Sequence, residues 1–396
     1  MECHVGKRDC PQNRDCQMAL YELSILGAPS PAQVAELESH LTTFVTPFGL
    51  RLGHEVAWSV CPAHFDPPNK TAAAVVFIGA DGVSDAGLDR ILRSGIPVLP
   101  IVSIEGRVHQ ELPPQLRPFN CLFYGTHGPQ RIASSLLECV GLLPRQRRVF
   151  VSYRRTEAGA AALQLFDAFS SRLFDVFLDT HGIAPAEDFQ SVLWHRLCDS
   201  DVLVMIDTPG YFASRWTSAE FGRALAKGIS VLRIGWPGFA PSPRVSTASR
   251  IDLAPAEVDV LTGQLGHDAI ARICDHLETV RSQSHAVRSL NLFSNVKQAV
   301  ESIGGTVMGV GLHKAIFIKL ADGADVVVYP TVGVPTSLSL HDAVDHAPDR
   351  SIAVVFDHVG LHPTWLRHLD WLGENIQSAR WVKVGEAAWR FADWVV

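Results

Sequence analysis

Short apolar runs alternate with amphipathic stretches along most of the chain, and this alternation predicts βαβ units in three successive blocks. In the first block Leu20–Leu26 reads as a strand, and Ser30 before Pro31 gives a helix start with its cap and first-turn proline in place. Ala73–Ile78 is apolar throughout, as a strand covered on both faces should be. Ser84–Ser94, ended by Gly95, reads as a helix, Ile96–Val102 as the next strand and Ile132–Val140 as a closing helix.

The proline-bearing segment Leu143–Arg148 predicts a linker. A second block follows, with strands at Val149–Val151, Phe174–Asp179, Asp201–Asp207 and Ser230–Ile234, and a break at Gly238–Arg250. Pro255–Ser282 then reads as a linking helix, with Leu261, Leu265, Ile270, Ile273 and Leu277 as its apolar stripe. From Leu292 a third pattern appears, with strands at Ala315–Leu320, Asp325–Tyr329, Ile352–Phe356 and Trp381–Val384 and helices near Ser337–Val344 and Thr364–Trp371. The tail tryptophans Trp381, Trp389 and Trp394 read as core packing. These readings divide the chain into an N-terminal α/β domain (1–145), a central domain (147–240), a linker and helix (241–290) and a C-terminal α/β domain (291–396). No repeat is visible by motif, although the first two blocks share a strand–helix rhythm and a common topology is open.

Composition narrows the function. With 396 residues, 47% hydrophobic and 19% charged, the chain can bury the cores of two or three domains of ~100–200 residues each. A formal net charge of -7 argues against nucleic acid, whose phosphates need a basic face. No apolar run reaches the ~18 residues of a membrane span, and the first residues lack the apolar core of a signal peptide. A cytoplasmic protein with no membrane partner is expected. The cysteines are scattered through apolar segments, which reads as reduced, buried thiols. Cys3, His4, Cys10 and Cys16 lack the close spacing of a zinc site and read as a loose tail, so no metal is expected.

The second block carries the chemistry. Its first strand runs into Ser152–Tyr153–Arg154–Arg155, a doubly basic loop at the carboxyl end of a parallel strand, where open sheets take their ligands. Two arginines there suit an anionic group such as pyrophosphate. Phe174–Asp179 leads into a second long loop, Thr180–Asp188. The strand Asp201–Asp207 leads through Pro209 and Gly210 to Ser214, a helix cap, with Trp216 and Glu220 on one face of the helix that follows.

In order and spacing, "FVSYRR", "FDVFLD", "SDVLVMIDTPGY" and "SRWTSAE" resemble the TIR (Toll/interleukin-1 receptor) domain, specifically its bacterial members of NAD-hydrolase type. The resemblance implies a flavodoxin-like five-stranded parallel sheet, flanked here by two further α/β domains. It also implies an NAD glycohydrolase, with Glu220 matching the family's catalytic glutamate and NAD as substrate and no further cofactor. The products would be nicotinamide and ADP-ribose or a cyclic ADP-ribose. Self-association through TIR domains, an unknown trigger, and a role in bacterial anti-phage defence or signalling follow from the same resemblance. Many TIR domains instead act as non-catalytic adaptors, and that is the alternative.

The bland readings stand beside these. Glu220 can be a solvated helix glutamate balancing Arg223 or Lys227. Trp216 can stack on the substrate or pack the helix on the sheet. Tyr153, Arg154 and Arg155 match the family's first loop and would line the substrate, or the arginines lie at an assembly interface. Phe189 matches an apolar position after the second loop, with core packing the plainer role. Ala186 stands where the family has a glycine, and Thr217 where many members have a cysteine. In the third block Asp357, His358, His362 and His368 read as a mix of surface and core residues, against a metal site, and Tyr329–Ser337 occupies a ligand-type position without a strong motif.

Overall fold

The computed structural model describes residues 19–68, 70–83, 87–178 and 189–394. The cluster of Cys3, His4, Cys10 and Cys16, the whole second loop Thr180–Asp188 with Ala186, and the expected start of the Ser84 helix lie outside the described residues.

The first unit is β1 (Tyr21–Gly27), α1 (Pro31–Val45), β2 (Val56–Val60), β3 (Ala73–Ile78), α2 (Leu88–Arg93), β4 (Val98–Val102), α3 (Val108–Glu111), β5 (Leu122–Phe123) and α4 (Tyr124–Cys139). Ser30 caps α1 as expected: its Oγ accepts from Gln33 N at 3.2 Å, and its own N–H donates to Gln33 Oε1 at 2.8 Å, a capping box. All strand pairs are parallel, in the order β2-β1-β3-β4-β5.

The second unit is β6 (Arg148–Ser152), α5 (Arg155–Ser170), β7 (Asp175–Leu178), α6 (Phe189–Asp199), β8 (Val202–Asp207), α7 (Arg215–Ala226), β9 (Ser230–Gly235) and β10 (Ser249–Asp252). Its order is β10-β9-β8-β6-β7, again parallel throughout. Read from β7 inward, this is the same arrangement as the first sheet: second strand, first, third, fourth, fifth. Both are doubly wound, flavodoxin-like sheets. The fifth strand, β10, begins at the end of the Pro/Ser-rich stretch that reads as a break in the sequence.

One long helix follows, α8 (His267–Ser302), of 36 residues and so ~54 Å long. The structure moves its start. Pro255–Glu257 is a single 3-10 turn, and Leu261, expected on the apolar stripe, is 96% exposed. The Asp259 carboxylate accepts from the N–H groups of Leu261 and Thr262 at 2.9 and 2.8 Å, and this side-chain turn competes with helix there. At its other end α8 passes Ser282 unbroken, and it packs on the second and third sheets and on α1 and α4 of the first unit.

The third unit is β11 (Thr306–Val310), β12 (Ile316–Lys319), β13 (Asp325–Thr331), α9 (Ser337–His346), β14 (Ser351–Phe356), α10 (Pro363–Asn375), β15 (Arg380–Lys383) and α11 (Ala387–Ala392). Its sheet is mixed, antiparallel from β11 to β13 and parallel from β13 to β15. Trp394 is buried and Trp381 packs edge-on against Phe356, but Trp389 is 52% exposed and is no part of the core. Among the described residues Cys61, Cys121, Cys139, Cys198 and Cys274 form no disulfide, and Cys61 is exposed where burial was expected. None of the described helices is long and apolar enough to cross a membrane.

The first two units share a buried ionic cluster with α8. Arg281, fully buried, donates to Asp201 at 2.8 Å, Glu138 at 2.7 Å and the Pro144 carbonyl at 2.5 Å. Arg147 pairs with Glu138 at 2.8 Å and also with Glu278. Side chains of α4, the Leu143–Arg148 connection, the α6–β8 turn and α8 are thereby held together.

Candidate active site

In a doubly wound sheet the chain leaves the central strand in opposite directions, and a crevice opens at the carboxyl ends where it does so. Here that crevice lies between the ends of β6 and β8. Ser152 ends β6. Asp207 ends β8 and is followed by Thr208–Pro209–Gly210 and a 3-10 turn, Tyr211–Ala213. Ser214 has the extended backbone of a helix cap, and its Oγ accepts from Thr217 N at 3.5 Å. The cap fixes where α7 starts, and hence where Glu220 points.

Glu220 does not lie in solvent: it is 5% exposed, and its carboxylate turns inward to the crevice. Ser152 Oγ donates to Glu220 Oε2 at 2.5 Å, and the Tyr211 hydroxyl lies 2.6 Å from the same Ser152 oxygen. Burial holds the Tyr211 phenol well above its ordinary pKa, and the Glu220 charge adds to this. The phenol therefore keeps its proton and donates to Ser152, which donates to Glu220. The Thr217 hydroxyl, at the position where the related domains often have cysteine, bonds to the Tyr211 carbonyl and pins the loop to the helix.

Above the carboxylate is an open cavity of about 470 Å³, lined by Tyr153, Arg154, Arg155, Trp216, Thr217 and Glu220. Of the residues expected at the site, five thus come together around it. Tyr153 is buried, with one side in the core of the sheet. Arg154 Nη1 pairs with Glu157 Oε1 at 2.6 Å, while the other Glu157 oxygen accepts from Gly210 N at 3.0 Å. The first loop is in this way tied to the third. Trp216 is 41% exposed at the mouth, with the Arg215 guanidinium 4.8 Å over its ring, so it does not pack α7 onto the sheet. Phe189 opens α6, and its side chain lies outside the described residues.

Ser152, Tyr211, Glu157 and Gly210 are the residues that sequence reasoning missed. Ser152 and Tyr211 stand inside the quoted motifs, but nothing in their spacing shows that residues 59 apart share a hydrogen bond. Gly210 has a clearer signal. A Cβ there would sit 1.4 Å from Arg154 Nη1 and 2.4 Å from Glu157 Oε1, so the loop pair closes only over a residue without a side chain.

Among the described residues Asp357, His358, His362 and His368 do not converge on a metal site. The His362 ring accepts from Thr364 N at the start of α10, the His362 backbone N–H donates to His195 Nδ1 at 3.2 Å, and Asp357 pairs with Lys227 at 2.6 Å. Among the described residues there is no group of three or more His, Cys, Asp or Glu side chains able to hold a metal ion. The Tyr329–Ser337 loop packs on the end of α6, with Val334 N donating to Asp199 Oδ1 at 3.0 Å.

Comparison with curated proteins gives no match to the chain. Residues 149–261 match the family model of the TIR domain, a span that takes in β10 as well as the loops around Glu220. On that match and on its strand order, the second unit is a TIR domain.

Proposed function

We propose that the TIR domain is an NAD glycohydrolase that cleaves the nicotinamide–ribose bond with Glu220. One observation carries the reading: a buried carboxylate, oriented by Ser152, opens into a cavity whose rim bears Arg154 and Arg155. Nicotinamide leaves as a neutral molecule because the bound ring is already cationic, so no general acid is required. As the bond breaks, positive charge develops on the ribose, and a fixed, buried carboxylate stabilises it. Water then adds to the anomeric carbon and loses a proton, giving ADP-ribose. Attack by a nitrogen of the substrate's own adenine gives a cyclic product instead. The arginines suit the pyrophosphate, Arg154 already being positioned by Glu157. On this reading the enzyme is a self-assembling switch in bacterial defence or signalling.

The rival reading is an adaptor that joins other TIR domains without turnover. The exposed Trp216 beneath Arg215 favours it, since that pair faces outward and suits a protein contact. Nicotinamide release by wild type and Glu220→Ala, across a wide range of protein concentrations, decides between them. Release that rises steeply with concentration and vanishes in the variant supports the enzyme. Equal release in both sinks the Glu220 assignment, and concentration-dependent association with no release in either supports the adaptor.

A further inference from the structure

A second cavity, of about 400 Å³, lies where the third sheet meets the TIR domain and α8. Thr331 ends β13, Asp357 follows β14 and Val384 follows β15, so one wall is the carboxyl end of three parallel strands, the usual ligand position in such sheets. The opposite wall is Lys227, just past the end of α7, with Arg288, Asn291 and Asn295 along one face of α8. Its volume falls within the ~300–1,000 Å³ of small-molecule sites, which favour domain boundaries.

The lining is cationic and offers many hydrogen-bonding groups. Arg288 is buried, and its Nη1 and Nη2 donate to the carbonyls of Ser200 and Cys198 at 2.9 and 3.0 Å, neutral acceptors that leave its charge uncancelled by any ion pair among the described residues. Lys227 pairs with Asp357 at 2.6 Å, so two cations face one carboxylate. The side chains of Asn291, Ser294, Asn295 and Thr331 also line the cavity and make no hydrogen bond among the described residues.

We propose that this cavity binds a small organic phosphate, the phosphate seated at Lys227 and Arg288 and the amides and hydroxyls reading the sugar or base. An anion on Lys227 competes with Asp357 for the pair that ties α7 to β14. Since α7 also carries Glu220, occupancy of the third unit bears directly on the helix of the TIR site. Only an effect of that link on turnover rests on the NAD reading; the binding and the link to α7 do not.

The test is calorimetric titration of the full chain carrying Glu220→Gln with ribose 5-phosphate, adenosine monophosphate, inorganic phosphate and, as uncharged control, adenosine. At least one organic phosphate is expected to saturate more tightly than inorganic phosphate, with adenosine silent. Lys227→Met, which removes one charge-assisted contact, and Asn295→Asp, which sets a carboxylate against the bound anion, should each weaken it roughly tenfold. Asn295 is exposed, so its variant keeps the fold. Failure of every phosphate to saturate, affinity in both variants unchanged from the chain without them, or binding by adenosine would overturn the proposal. Binding abolished by Trp216→Ala would overturn it too, by assigning the phosphate to the Glu220 cavity. On saturation, hydrogen exchange at the end of α7 and at 357–360 should quicken. Unchanged exchange would overturn the link to α7 whether or not the chain cleaves NAD.

Discussion

Ser152 Oγ lies 2.5 Å from Glu220 Oε2, a contact that joins the last residue of the first TIR strand to the middle of α7. With Tyr211 behind it at 2.6 Å, hydrogens run from phenol to hydroxyl to carboxylate. One oxygen of Glu220 is thus fixed in direction before any substrate arrives. A carboxylate that must face a developing cation acts through position, and preorganisation of this kind needs no rearrangement during reaction.

Ser152→Ala is therefore expected to lower kcat for nicotinamide release by ~10–100-fold, the ~1.5–3 kcal/mol of a hydrogen bond to a charged group. Ser152 does not line the cavity, so KM for NAD should move little. Tyr211→Phe should act in the same direction and more weakly, because Ser152 still reaches the carboxylate. Steady-state kinetics on folded variants checks both. Full kcat in Ser152→Ala would show that something else orients Glu220.

Gly210→Ala tests the tie between the first and third loops. The atoms its Cβ would meet are the far ends of Arg154 and Glu157, which can swing aside, so the stability loss should stay near ~1 kcal/mol. The guanidinium would then leave its place at the rim. KM for NAD should rise several-fold while kcat at saturation holds, as expected for lost ground-state binding. A collapse of stability with unchanged KM would mean that Glu157 serves the fold and not the substrate.

Most of the strand pattern was legible because parallel strands buried on both faces are continuous apolar runs, and Ala73–Ile78 was located to the residue. The strands that escaped are edges. β2, β5, β10 and β11 are outermost in their sheets, and their burial is partial, as in Thr306–Val310, where none of the five residues is fully covered. The middle of α8 escaped for the opposite reason. Past Ser282, where the expected helix ends, Ser284, His285, Arg288 and Ser289 are all buried, but their polarity interrupts the apolar stripe that the eye follows. At the candidate site, Glu220, Trp216 and the Tyr153–Arg155 loop were visible through their order along the chain. Ser152 and Tyr211 were not, since their role lies in a contact that only folding creates.

The ionic cluster around Arg281 predicts where the molecule is fragile. Arg281→Met leaves Asp201 and Glu138 buried with fewer cations, although Arg147 and Arg131 still face Glu138 at 2.8 and 3.1 Å. Breaking such a network from one side costs ~3–5 kcal/mol, far more than an exposed pair. Calorimetry should show the first unfolding transition falling by several degrees, with the N-terminal and TIR units released together. A shift no larger than that of Arg51→Met, whose pair with Glu55 is at the surface, would show that the cluster is not what holds the units.

The same cluster sets an acid limit on stability. His285 is buried, its Nε2 lies 2.7 Å from Asp201 Oδ1, and its Nδ1 has no partner among the described residues. Burial outweighs the attraction of Asp201 and pushes the imidazole down to about 4. The folded value lies below the ordinary ~6.5, so the unfolded chain takes up the proton first. The stability this group contributes is complete above pH ~6.5 and is lost as pH falls toward 4, on the order of 3 kcal/mol in all. Burial pushes His195 and His313 down to about 4 as well, and they add to the same window. Asp201, held low by His285 and Arg281 against its burial, gives way only below the ordinary carboxylate value. Melting temperatures from pH 8 to 4 should be flat above pH ~6.5 and fall below it, and His285→Gln, which keeps a donor for Asp201, should flatten the upper part of that fall. A fall that begins only below pH ~4 would assign the acid sensitivity to carboxylates and leave His285 with no part in it.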